Sequence, residues 1–165
     1  MIRVVVGDLA LADADAVVRT ANAELAPLGR CASRLDAAGG DGFAAQRRTA
    51  TPLEAGAAVV TGAGALSAPF VLHVVLADER GPASRANVRR ALVGAWQRAA
   101  DWGLRRVAAP PVGADPGPLS IEDAVTLLVE TFPHAPDAQA PAELQIVVEG
   151  EAERDVVDAI VRRLT

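Results

Sequence analysis

Two short apolar runs near the start of the chain each end in a side chain able to recognise a ligand. They are Val4-Val5-Val6-Gly7-Asp8-Leu9 and Ala16-Val17-Val18-Arg19-Thr20-Ala21-Asn22. Groups at strand ends in an α/β protein tend to face a common crevice, which is where such folds bind ligands. Asp8 presents a carboxylate, an acceptor suited to an exocyclic amine. Asn22 presents an amide, which both donates and accepts and so suits a sugar diol. Each also has a plain structural reading, because Asp caps and Asn builds the turns that follow strands. A third segment, Val112-Gly113-Ala114-Asp115-Pro116-Gly117-Pro118, sits where a later strand ends. Its glycines suit a loop that turns N–H groups toward an anion, but it carries a carboxylate and two prolines that lack N–H donors.

Other chemistry-bearing residues lead less far. Val59-Val60-Thr61-Gly62-Ala63-Gly64 invites a dinucleotide-binding reading, but that fingerprint needs a helix directly afterwards to receive the pyrophosphate, and Leu66-Ser67-Ala68-Pro69 leads into another strand-like run. Cys31 is the one cysteine, so an internal disulfide is excluded. A cysteine nucleophile needs a base, and neither histidine can be placed beside it: His73 lies in an apolar strand run and His134 in a Pro-rich loop. With two histidines in all, a zinc cage has too few ligands, and nothing in the chain calls for a metal or organic cofactor. Trp96 and Trp102 read as core and helix-end packing, and Arg47-Arg48 and Arg89-Arg90 as solvated faces or carboxylate partners.

The elements that must position these groups follow from periodicity. Strands are expected at 2–6, 16–20, 57–61, 70–76, 105–109 and 144–148, from β-branched or continuous apolar runs. The clearest helix runs from Ser84 to Trp102, with Val88, Leu92, Ala95, Trp96 and Ala99 on one stripe and Gly103 as its stop. Ser120 heads a helix to Phe132 with Asp123 three residues on, a carboxylate variant of the capping box. Glu151 to Leu164 is acidic at its start and basic at its end, as a helix dipole favours. Between Ala23 and Thr51, Ala32–Ala38 reads as a short helix stopped by Gly39-Gly40, and Phe43–Arg48 as another. Pro133–Pro141 reads as a loop within the domain. Alternation of strands and helices implies an α/β sandwich with a mixed or mostly parallel sheet.

With 165 residues the chain has the length of one domain, taken as 1–165, and 51% hydrophobic residues suffice for one substantial core. The start Met-Ile-Arg-Val-Val-Val-Gly-Asp lacks the layout of a signal peptide, and no apolar run is long enough for a membrane helix, so the chain is read as soluble and cytoplasmic with no membrane partner. Net charge is −5 with no basic run of five, and aromatics make up 3% with no tyrosine. Both argue against a nucleic-acid partner, which requires phosphate neutralisation and stacking platforms.

In order along the chain, these segments resemble the macro domain, an ADP-ribose-binding α/β module. Gly7-Asp8-Leu9 is similar to its Gly-Asp-Ile/Val, and Asp15-Ala16-Val17-Val18-Arg19-Thr20-Ala21-Asn22 to its Asp-Ala-Ile-Val-Asn-Ala-Ala-Asn. Leu28-Gly29-Arg30 and Ala37-Ala38-Gly39 match in part its Gly-rich loop and Ala-Ala-Gly helix end. Ala55 to Leu66, Phe70-Val71-Leu72-His73, and Gly103 to Pro110 echo its later motifs. The resemblance implies a three-layer α/β/α sandwich that binds ADP-ribose or a related adenine nucleotide metabolite. It implies that Asp8, with Leu9, meets the adenine amine and Asn22 the distal ribose. Gly29-Arg30-Cys31 and Gly113-Ala114-Asp115 would flank the phosphates.

The chain departs from that pattern where chemistry would occur. Arg19 replaces the first asparagine of the second motif. In hydrolytic members an aspartate of the first loop activates water, and here that position falls on Cys31 or Ala32. The second loop brings Asp115 toward a dianion, and Pro116 and Pro118 remove two N–H donors, although Arg30 would offset the charge if it reached the same phosphates. The expected function is therefore binding without efficient hydrolysis. The alternatives are a hydrolase of ADP-ribosyl or ADP-ribose-phosphate substrates with Asp36 or Asp115 as an atypical base, and a scaffold or homo-oligomer subunit that keeps the fold without the ligand.

Overall fold

The β-branched runs become strands, and the helices between them sort onto two faces of one sheet. In this computed structural model, residues 1–115, 117–134 and 139–165 are described. Pro116 of the second loop and part of the Pro133–Pro141 loop lie outside the described residues. The elements in chain order are β1 (Ile2–Val6), a 3-10 turn (Leu9–Leu11), β2 (Ala16–Asn22), α1 (Gly29–Gln46), β3 (Ala58–Gly62) and β4 (Phe70–Ala77). They continue with α2 (Arg85–Asp101), β5 (Arg106–Ala109), α3 (Ile121–Thr131), β6 (Glu143–Val148) and α4 (Glu151–Leu164). The six strands lie in the order β1-β6-β5-β2-β4-β3. Every neighbouring pair is parallel except β3 with β4, so the sheet is mixed and mostly parallel as expected. No helix among the described residues is long and apolar enough to cross a membrane.

The period-2 geometry of the strands divides the core in two. Ala16 and Val18 of β2, Leu72, Val74 and Leu76 of β4, and Val107 and Ala109 of β5 pack against α2, α3 and α4. Val17, Val71 and Ala108 point the other way, onto Leu35 and Phe43 of α1 and onto Leu9 and Ala10 of the 3-10 turn. The result is the three-layer sandwich. Its clearest helices begin where their caps predict. Ser84 Oγ accepts from Asn87 N at 3.2 Å, and Ser120 Oγ accepts from Asp123 N at 3.1 Å. Buried Trp96 donates from Nε1 to Thr131 Oγ1 at 3.0 Å, while Trp102, at the end of α2, is exposed and its ring lies tilted against that of Phe70.

One expectation needs correction: β2 runs on to Asn22, with a register shift between Ala21 and Asn22 against β4. The two short helices expected at 32–38 and 43–48 are found as the two arms of α1, which meet at a kink at Gly40, where φ is 67° and ψ −162°. The helix resumes because fully buried Phe43 anchors the next turn in the core.

The kink also explains the glycines after β3. Gly64 has φ of +58°, and a Cβ there would lie 2.4 Å from Phe43 N and 2.6 Å from Gly39 O. Ala65 N donates to Gly39 O at 3.0 Å. These glycines let a loop press against the kink of α1 and hold no phosphate. Gly64→Ala is expected to lower the unfolding free energy by about 3 kcal/mol, through left-handed strain and overpacking. Urea unfolding tests this against Gly81→Ala, where an added Cβ meets nothing within 4 Å and the change should stay within about 0.5 kcal/mol.

Candidate ligand-binding site

A cavity of about 670 Å³ opens where β1, β5 and β6 end. Gly7, Asp8 and Leu9 line it after β1. Pro110, Pro111, Val112, Ala114 and Asp115 line it after β5, and Val147, Val148 and Glu149 at the end of β6. Thr20 of β2 and Arg30, Cys31, Arg34 and Leu35 of α1 close the remaining side. The volume falls within the range of small-molecule sites, and the position at strand C-termini is where open α/β sheets place ligands.

Asp8 takes the capping role of its plain structural reading. Its Oδ1 accepts from Ala10 N at 2.9 Å and so caps the 3-10 turn, while the carboxylate stays exposed on the cavity. Asn22 is a turn builder: its Oδ1 accepts from Glu24 N at 3.0 Å and Ala26 N at 2.9 Å. It does not line the cavity, and neither does Gly29 or Gly113. Of the nine candidate residues, Asp8, Leu9, Arg30, Cys31, Ala114 and Asp115 do meet there.

The two loops differ as anion hosts. At the start of α1 the N-cap position is Leu28, which supplies no side-chain hydrogen bond. The first-turn N–H groups of α1 therefore keep their partial positive charge, with Arg30 and Cys31 at the cavity wall. The loop after β5 spends two of its N–H donors on its own carbonyls. Ala114 N donates to Pro111 O at 3.2 Å, and Leu119 N to Gly113 O at 3.1 Å. Pro118 has no N–H to offer.

Cys31 is a poor nucleophile in this setting. Burial and then the nearby charge of Glu149 push its thiol up to about 11. At neutral pH the group is a thiol, and thiolate chemistry is unavailable.

The macro domain family model matches residues 18–128. The chain belongs to the macro domain family. An uncharacterized protein of Aeropyrum pernix is 34% identical over 124 residues, covering 74% of this chain and 66% of its own length. One of Mycobacterium tuberculosis is 29% identical over 141 residues, covering 86% of this chain but only 38% of its own length. The chain thus spans less than two thirds of these curated relatives. Among solved structures, a mutant Oceanobacillus iheyensis macrodomain superimposes with a TM-score of 0.82 at 20% identity, covering 98% of this chain and 90% of that one. Another mutant of it, solved with ADPR, gives 0.77 at 16% identity, covering 98% and 91%. A Trypanosoma brucei macrodomain in complex with ADP gives 0.80 at 20% identity, covering 97% and 68%. At these identities the superpositions establish the macro domain fold.

Arg19, which departs from the macro domain sequence pattern, has a structural role. It is fully buried in β2, facing α1. Its Nε and Nη2 donate to Asp36 Oδ1 and Oδ2 at 2.7 and 2.9 Å. Arg47 Nη1 donates to the same Oδ2 at 2.9 Å, and both guanidiniums lie over the Phe43 ring. Burial pulls the Arg19 pKa down, and the hydrogen bonds and charge of Asp36 work against that shift. Asp36 is committed to two arginines and absent from the cavity wall, so of the two carboxylates considered as bases only Asp115 faces the cavity. Nothing in local spacing reveals this cluster.

His73 completes it, as a buried sheet histidine. Its Nδ1 lies 3.1 Å from Arg19 Nη1 and its Nε2 2.7 Å from Thr61 Oγ1. Thr61 donates its hydroxyl proton to Gly62 O, and Arg19 can only donate, so His73 is the neutral Nε2–H tautomer. Burial, then the charges of Arg19 and Arg47, lower its pKa to about 3. From pH 6.5 down to about 3 the unfolded chain takes up a proton at His73 that the folded chain refuses, so stability falls with pH across that window. The expected slope from this group approaches about 1.4 kcal/mol per pH unit. His73→Gln keeps one acceptor for Arg19 and one donor for Thr61, and should flatten that slope in urea unfolding at pH 7, 6 and 5.

Arg34 and Glu149 are cavity residues that the motif-based reading missed. Arg34 was accessible as the i+4 neighbour of Arg30 on one helical face. Glu149 had no such local signal.

Proposed function

We propose that the cavity binds ADP-ribose or a related adenine nucleotide, without efficient hydrolysis. The observation that carries this reading is that Asp8 and the uncapped start of α1 line the same cavity. The Asp8 carboxylate accepts from the adenine amine beside Leu9. The first turn of α1, with Arg30 and Cys31, receives phosphate oxygens. Ala114 and Asp115 bound the phosphates on the other side. Asn22 and Gly29 lie outside the cavity lining and act through the turn that leads into α1, with Asn22 Oδ1 committed to that turn. Gly113 shapes the second loop through its carbonyl bond to Leu119. Family membership and the ADPR and ADP found with the macrodomains above support the ligand class.

Hydrolysis lacks its usual base, since Cys31 or Ala32 stands where hydrolytic members carry aspartate and Asp36 is held by Arg19 and Arg47. Calorimetric titration with ADP-ribose is the test. Saturable heat, with adenosine weaker and no ADP-ribose released from a modified protein, is the expected result. Absence of heat and of any thermal shift at millimolar ADP-ribose would overturn the reading.

A further inference from the structure

Two arginines at the cavity rim are already occupied by an anion of the protein itself. Arg30 and Arg34 stand one turn apart on α1. Arg30 Nη2 donates to Glu149 Oε2 at 2.8 Å, and Arg34 Nη1 donates to Glu149 Oε1. One carboxylate, leaving the end of β6, thus bridges two guanidiniums of α1, one oxygen to each. All three side chains line the cavity and all are about half exposed. The lining holds four carboxylates, Asp8, Asp115, Glu149 and Glu153, against these two arginines. A phosphorylated ligand entering this cavity meets net negative charge, and its only cationic partners in the wall are engaged.

We propose that Arg30 and Arg34 form a phosphate subsite that Glu149 occupies in the free protein and vacates when a ligand phosphate takes its place. Bridging by two oxygens of one carboxylate is the arrangement a phosphate reproduces, with stronger charge and an additional oxygen. The second loop, short of N–H donors and carrying Asp115, leaves the phosphates in need of such a partner. The exchange is cheap because exposed ion pairs contribute little to stability. Glu149 therefore sets a threshold for anionic ligands and leaves uncharged ones unaffected. This inference rests on the ligand reading above for its choice of probe.

The test is calorimetry of the full chain with ADP-ribose and with adenosine, for wild type, Glu149→Gln and Arg34→Gln. Removing the competing charge should tighten ADP-ribose about fivefold in Glu149→Gln, and losing one guanidinium should weaken it by a similar factor in Arg34→Gln. Adenosine affinity should not change in either. All three sites are exposed, so folding is retained, and circular dichroism confirms it. If wild type binds ADP-ribose and Glu149→Gln binds it no better, the exchange is overturned while the ligand reading stands. A second probe covers failure of the adenine reading. Pyrophosphate should shift the side-chain NMR signals of Arg30 and Arg34 in Glu149→Gln more than in wild type, with or without ADP-ribose binding. Equal or absent shifts overturn the subsite.

Discussion

Asp36→Ala is expected to lower the unfolding free energy by about 3–5 kcal/mol, the cost of stranding a buried charge. The reason lies in the asymmetry of its partners. Arg47 keeps 18% of its side chain exposed and can turn toward water, whereas Arg19 has none exposed and is walled in by β2, β4 and α1. Without Asp36, Arg19 retains the face of Phe43 and a hydrogen bond to His73, whose neutral ring offers one acceptor and no charge. Urea unfolding would measure the loss. Glu149→Gln serves as the exposed comparison and should change stability by less than about 1 kcal/mol. The double change Arg19→Leu with Asp36→Leu removes both charges, and is expected to recover most of the loss because an apolar pair needs no partner. A cost below about 1 kcal/mol for Asp36→Ala would show that Arg19 finds water in the folded state.

The reach of the sequence differs between the fold and the site for a physical reason. Strands and helices are written in patterns a few residues long, so the run at 70–77, the stripe from Val88 to Ala99 and the caps Ser84 and Ser120 were all legible. The break at Gly40 was legible from two glycines between two short helical patterns, whereas the burial of Phe43 that anchors the second arm was not. Asp8 was legible as a strand-end carboxylate because its position is set by β1 alone. Arg19 was visible only as the replacement of the first asparagine of the second motif, and Asp36, 17 residues on, only as a candidate base. Their meeting is a tertiary event. The contact of Glu149 with Arg30 and Arg34 spans more than a hundred residues and depends on the placement of β6 beside α1. Asn22 shows the reverse ambiguity. Amide chemistry is identical in a turn and in a ribose site, and only the observed bonds to Glu24 and Ala26 assign the oxygen.

On the proposed function, Asp8→Asn separates recognition from structure. The carboxylate has two duties, and asparagine can keep one of them. Its Oδ1 can still accept from Ala10 N, as Asp8 does at 2.9 Å, so the 3-10 turn and the packing of Leu9 and Ala10 should persist with a stability change of under about 1 kcal/mol. Toward the adenine amine the substitution is unfavourable. The negative charge that strengthens that hydrogen bond is gone, and an NH2 group now competes for the same space, setting donor against donor. A charged hydrogen bond lost in a ligand pocket costs about 1.5–3 kcal/mol, or roughly ten- to a hundredfold in affinity. The expected result is therefore a weakening of ADP-ribose, ADP and adenosine alike by at least tenfold, because all three carry the adenine. Inosine, which has a carbonyl in place of the amine, should lose its disadvantage in the variant, since asparagine can donate to it. Calorimetry with adenosine and inosine reads this as a change in preference, which a merely destabilised pocket would not produce. Equal losses for both nucleosides would remove Asp8 from adenine recognition and leave it as the cap of the turn.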